Sequence, residues 1–162
     1  MTDKRKKIFN WNHISDKLTE EEIKELKAYY HTYHRKCWAY KKKFQHLRKW
    51  RLAANSASLL VGSGGIITSI VTNGVALVAI SGGALLIQGW MKHKNLDLNI
   101  HFCKYAYTQY QHILILIKDM LRNGNFEPEH IHTTMKALDD FIVDNSPIVD
   151  KYLKKYDEKF IW

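Results

Sequence analysis

Proline is almost missing from this chain, with only Pro128 and Pro147 in 162 residues. Long helices are therefore permitted nearly everywhere, because proline is the residue that breaks them. Cysteine is as scarce. Cys37 and Cys103 are too few and too scattered for a disulfide framework or a zinc knuckle, and they read as small core residues. No apolar stretch follows Lys4-Arg5-Lys6-Lys7, so no signal peptide is expected. Gly62-Ser63-Gly64-Gly65 lacks the preceding strand and the lysine of a phosphate loop. No serine sits in a nucleophile elbow. Neither an enzyme nor a resident cofactor is expected.

Charge is also missing where it matters most. From Leu52 to Met91 there are forty residues without Asp, Glu, Lys, Arg or His. Elsewhere charge is plentiful and uneven. Residues 1–51 carry 15 Lys/Arg against 6 Asp/Glu, whereas residues 92–162 carry 10 of each. A membrane-crossing helix takes roughly 20 residues, so forty is the length of two passes. Thr72-Asn73-Gly74 is a turn-type triplet near the middle. These features predict a transmembrane helical hairpin over 52–91 with its turn at about 72–74. Basic residues flank both arms: Lys41, Lys42, Lys43, Arg48, Lys49 and Arg51 before, Lys92 and Lys94 after. The positive-inside rule then sets both termini in the cytoplasm. The same cations would meet anionic lipid headgroups. Trp50 and Trp90 fall at the outer ends of the arms, where tryptophan anchors an interface. Gly62, Gly65, Gly82 and Gly83 would let the two arms approach closely. Two alternatives stay open for this block: a buried hairpin in a larger soluble assembly, and conditional insertion.

Outside the block, the spacing is that of helices with helical partners. Before it, Ile23, Leu26, Tyr30, Tyr33, Cys37, Tyr40, Phe44 and Leu47 recur at alternating steps of 3 and 4. After it, Leu96, Ile100, Cys103, Tyr107, Tyr110, Leu114, Ile117 and Leu121 do the same. Each set is a heptad seam, and a hairpin between them makes the two helices antiparallel. Thr19-Glu20-Glu21-Glu22 opens the first with a capping box. Asn123-Gly124-Asn125 closes the second. Pro128 suits the start of a further helix with the stripe Ile131, Met135, Leu138 and Ile142. Ser146-Pro147 suits the start of a last one with Val149, Leu153, Tyr156 and Phe160. The fold expected is all-α: a transmembrane helical hairpin continuing into an antiparallel cytoplasmic coiled coil or helical bundle. Its segments are a basic N-terminal stretch (1–18), a heptad helix (19–51), the hairpin (52–91), a second heptad helix (92–123) and two C-terminal helices (127–162).

His31 and His34 lie one helical turn apart, with His112 near their height on the partner helix. Three imidazoles are a conceivable metal set, but interfacial aromatics on a basic helix are the simpler reading, and no metal is expected. From Lys27 to Arg51 nine cations occur without one acid. Aromatics interleave them, so nucleic acid is a partner weighed second to lipid.

The order of parts resembles the SLATT group of two-pass membrane effectors. The residues that carry it are the Leu52–Met91 hairpin, Lys92-His93-Lys94, and the helix bearing Tyr105, Tyr107 and Tyr110. The resemblance implies an oligomerising effector that perturbs a membrane or forms a pore in it. A weaker likeness runs through Phe102–Tyr110 and Pro147–Tyr156 to small hairpin membrane proteins of Polinton/Maverick-type elements and related viruses. That one implies a non-enzymatic membrane anchor or structural interaction protein. A third reading, from charge alone, is a soluble basic helical protein that binds nucleic acid.

Overall fold

The computed structural model describes residues 6, 7, 11, 13–71, 85–145 and 149–161, and they are helical almost throughout. Helix α1 spans Glu20–Val71, and α2 is described from 85 to 93. Helices α3, α4 and α5 span Leu96–Asn123, Pro128–Asn145 and Asp150–Lys159. Two very short strands, β1 (Lys6–Lys7) and β2 (Phe160–Ile161), pair in parallel. No alternating pattern in the sequence announces them. The chain divides into two compact units, Met1–Lys43 with Phe102–Trp162, and Phe44–His101.

Local chemistry explains where the helices start and stop. Thr19 caps α1. Its backbone N–H donates to Glu22 Oε2 at 2.7 Å, and the Glu22 N–H donates to Thr19 Oγ1 at 3.3 Å, the reciprocal pair of a capping box. These bonds stabilise the ionised form and hold the Glu22 carboxyl below its usual range. At the end of α3, beside the start of α1, Gly124 takes φ +75° and its N–H closes on Met120 O at 2.9 Å. A side chain there would run into Ser15 Oγ, 2.6 Å from an added Cβ, so this glycine is needed for both angle and space. Asn95 (φ 46°) turns the chain between α2 and α3, a conformation asparagine tolerates better than most. The second heptad helix thus begins at Leu96 rather than Lys92, because the Lys94-Asn95 turn intervenes. At the start of α5 the N-cap position is Val149, with no side-chain cap bond. Ser146 and Pro147, expected to open that helix, lie outside the described residues.

In the first unit, the seam positions of α1 and α3 meet with numbers running in opposite directions. Tyr33 stacks near Tyr110, the Cys37 thiol points at Tyr107 O (3.6 Å), and Tyr40 lies edge-on to Phe102. Leu26, Tyr30, Tyr33, Cys37 and Tyr40 are buried on α1, and Cys103, Tyr110, Leu114, Ile117 and Leu121 on α3. Ile23 and Tyr107 are half-buried. Helix α4 buries its stripe Ile131, Met135, Leu138 and Ile142, and α5 buries Tyr156. Phe102 stacks on Phe141, tying α3 to α4.

The second unit holds the rest of α1, α2 and the first turns of α3. Leu96 and Ile100 are buried there, with Phe44 and Leu47 half-buried. Its helices also run antiparallel, with Trp50 against Trp90 and Ser58 against Gln88. No boundary appears at residue 52. The heptad helix continues without a break into the charge-free stretch as far as Val71, because nothing between Trp50 and Ser56 breaks a helix.

Among the described residues, no helix is long and apolar enough to cross a membrane. That overturns the expectation of an integral, multi-pass membrane protein with cytoplasmic termini, and with it the pore-forming effector. Of the charge-free stretch, α1 as far as Val71 and residues 85–91 are described. Asn55, Ser56 and Ser58 interrupt it soon after Arg48, Lys49 and Arg51, whereas a span needs roughly 20 predominantly apolar residues. Gly62 and Gly65 belong to the α1 backbone. The turn at 72–74, Gly82 and Gly83 lie outside the described residues.

Candidate functional site

The second unit carries the least ordinary surface. On α1, Trp50, Ala53, Ala54 and Ala57 follow the i, i+3, i+4, i+7 spacing that puts residues on one helical face. Across from them α2 brings Leu86, Ile87 and Trp90. Together these seven residues line a groove of about 500 Å³, within the 300–1,000 Å³ range of ligand and side-chain pockets.

The rim is fixed by polar contacts. Trp50 and Trp90 have ring centroids 6.2 Å apart, so the two expected anchors do stand together. The Trp50 indole N–H donates to His46 Nε2 at 2.9 Å, fixing that ring. Gln88 reaches Ser58 Oγ at 3.4 Å. Arg51 pairs with Asp97 at 2.9 Å, an exposed bridge of small energetic value.

What faces solvent here is apolar. Leu59 is 73% exposed, Leu60 72%, Leu85 71% and Leu86 77%, with Trp50 at 50% and Trp90 at 43%. Isolated exposed leucines are ordinary, but Leu86, Trp50 and Trp90 line one groove, and exposed large apolar side chains gathered at a groove mark an interaction surface. Spacing alone makes the Trp50-Ala53-Ala54-Ala57 stripe visible in the sequence. The role of Leu86 and Ile87 as its facing wall is not visible there, because it depends on how α2 is rotated.

The basic residues are distributed differently from the polybasic strip their sequence suggests. Arg35 forms a two-pronged bond with Asp157 (2.8 and 2.6 Å), and Lys36 donates to both oxygens of Asp139 (2.8 and 3.0 Å). The ammonium groups of Lys27 and Lys42 lie over the Trp11 and Trp38 rings. With Arg51, five of the nine cations between Lys27 and Arg51 are engaged inside the protein. Lys41, Arg48, Lys49, Lys92 and Lys94 are exposed.

His31 and His34 pack against aromatic rings. Among the described residues, no group of three or more His, Cys, Asp or Glu is placed to hold a metal ion, so His31, His34 and His112 are not gathered into one. His34 Nδ1 is 2.7 Å from the Tyr156 hydroxyl, and its ring stacks on Tyr30. Burial, with help from Lys118 and His31, pushes its pKa down to about 4. Burial likewise raises the Cys37 and Cys103 thiols to about 11 each, which leaves both unreactive.

The groove and its rim are thus the outstanding chemical feature. No protein-family model, no curated protein and no solved structure matches this chain. The assignment of a role rests on the groove's own chemistry.

Proposed function

We propose that the chain is a non-enzymatic interaction protein whose working surface is the apolar helical pair of the second unit. One observation carries this: Leu86, Trp50 and Trp90, three of the residues that line the groove, are 77%, 50% and 43% exposed. Apolar surface is driven out of water at about 25 cal/mol per Å². A helix partner that lays its apolar face into the groove gains that energy, as helix-in-groove complexes do. The two tryptophans are the anchors, since large aromatics dominate such contacts. No charged side chain lines the groove, so docking leaves no charge unpaired there.

An environment-sensitive apolar dye such as bis-ANS tests the surface in dilute protein. The native chain is expected to bind it with energy transfer from tryptophan, and Leu86→Glu to lose most of that signal while its helical circular dichroism stays unchanged. Dye binding that is indifferent to Leu86→Glu would refute the reading.

A further inference from the structure

The groove has one charged end and one uncharged end. Its lining runs from Trp50 to Ala57 on α1 and back from Trp90 to Leu86 on α2, and the two tryptophans meet at 6.2 Å. Past Trp90 the chain continues with Lys92, His93 and Lys94, all exposed. Lys94 lies four, seven and eight residues beyond Trp90, Ile87 and Leu86, the spacing of one helical face. Its backbone N–H still donates to Trp90 O at 3.0 Å, so helical geometry reaches that far. On α1, His46 stands one turn before Trp50 and accepts its indole N–H, and Lys49, next to Trp50, is exposed. At the Ala57 and Leu86 end the neighbouring residues are Ser58, Leu59, Leu60 and Leu85, without a charge. The unit Phe44–His101 holds five Lys/Arg and one acid. That acid, Asp97, is bound to Arg51 at 2.9 Å, which leaves the Trp50–Trp90 end strongly cationic.

Resting on the reading above, we infer that the partner is an amphipathic helix of another protein whose apolar stripe ends in acidic residues, laid in the groove with its acids over Lys94. The length fits. The interval from Trp50 to Ala57 measures about 10.5 Å along the helix, the reach of apolar anchors at i, i+3 or i+4, and i+7 of a partner helix. The charge gives the direction. An acidic turn at the Trp50–Trp90 end finds cations. The same turn at the Ala57 end finds apolar surface, where an unpaired carboxylate is costly. An acidic partner is therefore held in one orientation, and a basic one is repelled by like charge. Exposed ion pairs add little energy singly. The apolar stripe thus supplies most of the affinity, and the acidic turn the choice among helices.

The experiment is fluorescence anisotropy of two labelled synthetic helical peptides on the full chain. Both carry leucines at i, i+3 and i+7; one ends in a turn of glutamates, the other in a turn of lysines. The glutamate peptide is expected to bind at least about 10-fold tighter at low salt, with the gap narrowing as salt screens the charges. Lys94→Glu should shrink that preference about 10-fold or reverse it, with Lys94→Gln in between. Both variants should keep the helical circular dichroism of the native chain and its binding of the uncharged dye Nile red. Leu86→Glu should lose both peptides. Equal binding of the two peptides, or a preference that ignores both Lys94 variants, would overturn the acidic partner. Laurate that displaces Nile red while neither peptide binds would overturn the helix and assign the groove to a lipid carboxylate. In each of these cases dye binding lost by Leu86→Glu still stands for the interaction surface itself. Dye binding indifferent to Leu86→Glu would sink that underlying reading too.

Discussion

Acidification should loosen the first unit through one ring. His34 sits between Tyr30 (centroids 5.7 Å, nearly parallel), Tyr156 (5.6 Å) and Phe160 (6.1 Å, edge-on). Burial, then Lys118 and His31, lowers its pKa to about 4 from 6.5. The unfolded chain takes up the proton at its ordinary value while the folded chain resists. Between the two values unfolding therefore binds a proton, and stability falls as pH falls. The contribution is whole above about pH 6.5 and gone below about pH 4. At about 1.4 kcal/mol per pH unit the full difference is about 3 kcal/mol, and partial solvent access to the ring reduces it to about 2 kcal/mol. Urea denaturation followed by circular dichroism at steps from pH 7.5 to 4 measures this directly. His34→Phe keeps the aromatic packing and cannot titrate, so its stability should vary with pH by about 2 kcal/mol less than the native chain. The two pH profiles running parallel would refute the reasoning, whatever the baseline difference.

Three further outcomes follow from the same contacts. Gly124→Ala should cost about 1–3 kcal/mol in urea denaturation, because its Cβ meets Ser15 Oγ and Lys17 Cβ at 2.6 and 2.7 Å in a left-handed backbone; a loss under about 0.3 kcal/mol would contradict the close approach. Asp139 accepts from Lys36 and, at 3.0 Å, from the buried Tyr110 hydroxyl, so Asp139→Ala should cost about 1–2 kcal/mol. Asp139→Asn, which can still accept from Tyr110, should cost less, and equal losses would assign the effect to the Lys36 charge instead. With both pKa values near 11 and both side chains buried, Cys37 and Cys103 should react with a chromogenic disulfide at pH 8 only as fast as the chain opens, and at once in urea. Immediate reaction of the folded chain would contradict their burial.

The bundle was legible where local chemistry and spacing agree. Alternating steps of 3 and 4 picked out Leu26, Tyr30, Tyr33, Cys37 and Tyr40 on α1 and their buried counterparts on α3, because a helix can hide only one stripe. Thr19, Gly124 and Pro128 marked ends for the same kind of reason: each supplies a bond or an angle that a helix terminus requires. The charge-free block was where inference from composition failed. Hydropathy reports how little a segment likes water, and not what replaces the water. Leu52, Leu59 and Leu86 look alike whether the neighbour is lipid or another helix. The ion pairs Arg35–Asp157 and Lys36–Asp139 join residues more than a hundred positions apart. Nothing in spacing shows them, and they turned an apparent polybasic strip into internal links.

Carbene footprinting of the full chain, with and without bis-ANS, tests the central claim most directly. Leu86, Trp50 and Trp90 should lose labelling together when the dye is bound, while Ile115 and Tyr105, also solvent-facing on α3, stay labelled. Protection of Ile115 and Tyr105 with the groove still open to the reagent would contradict the account.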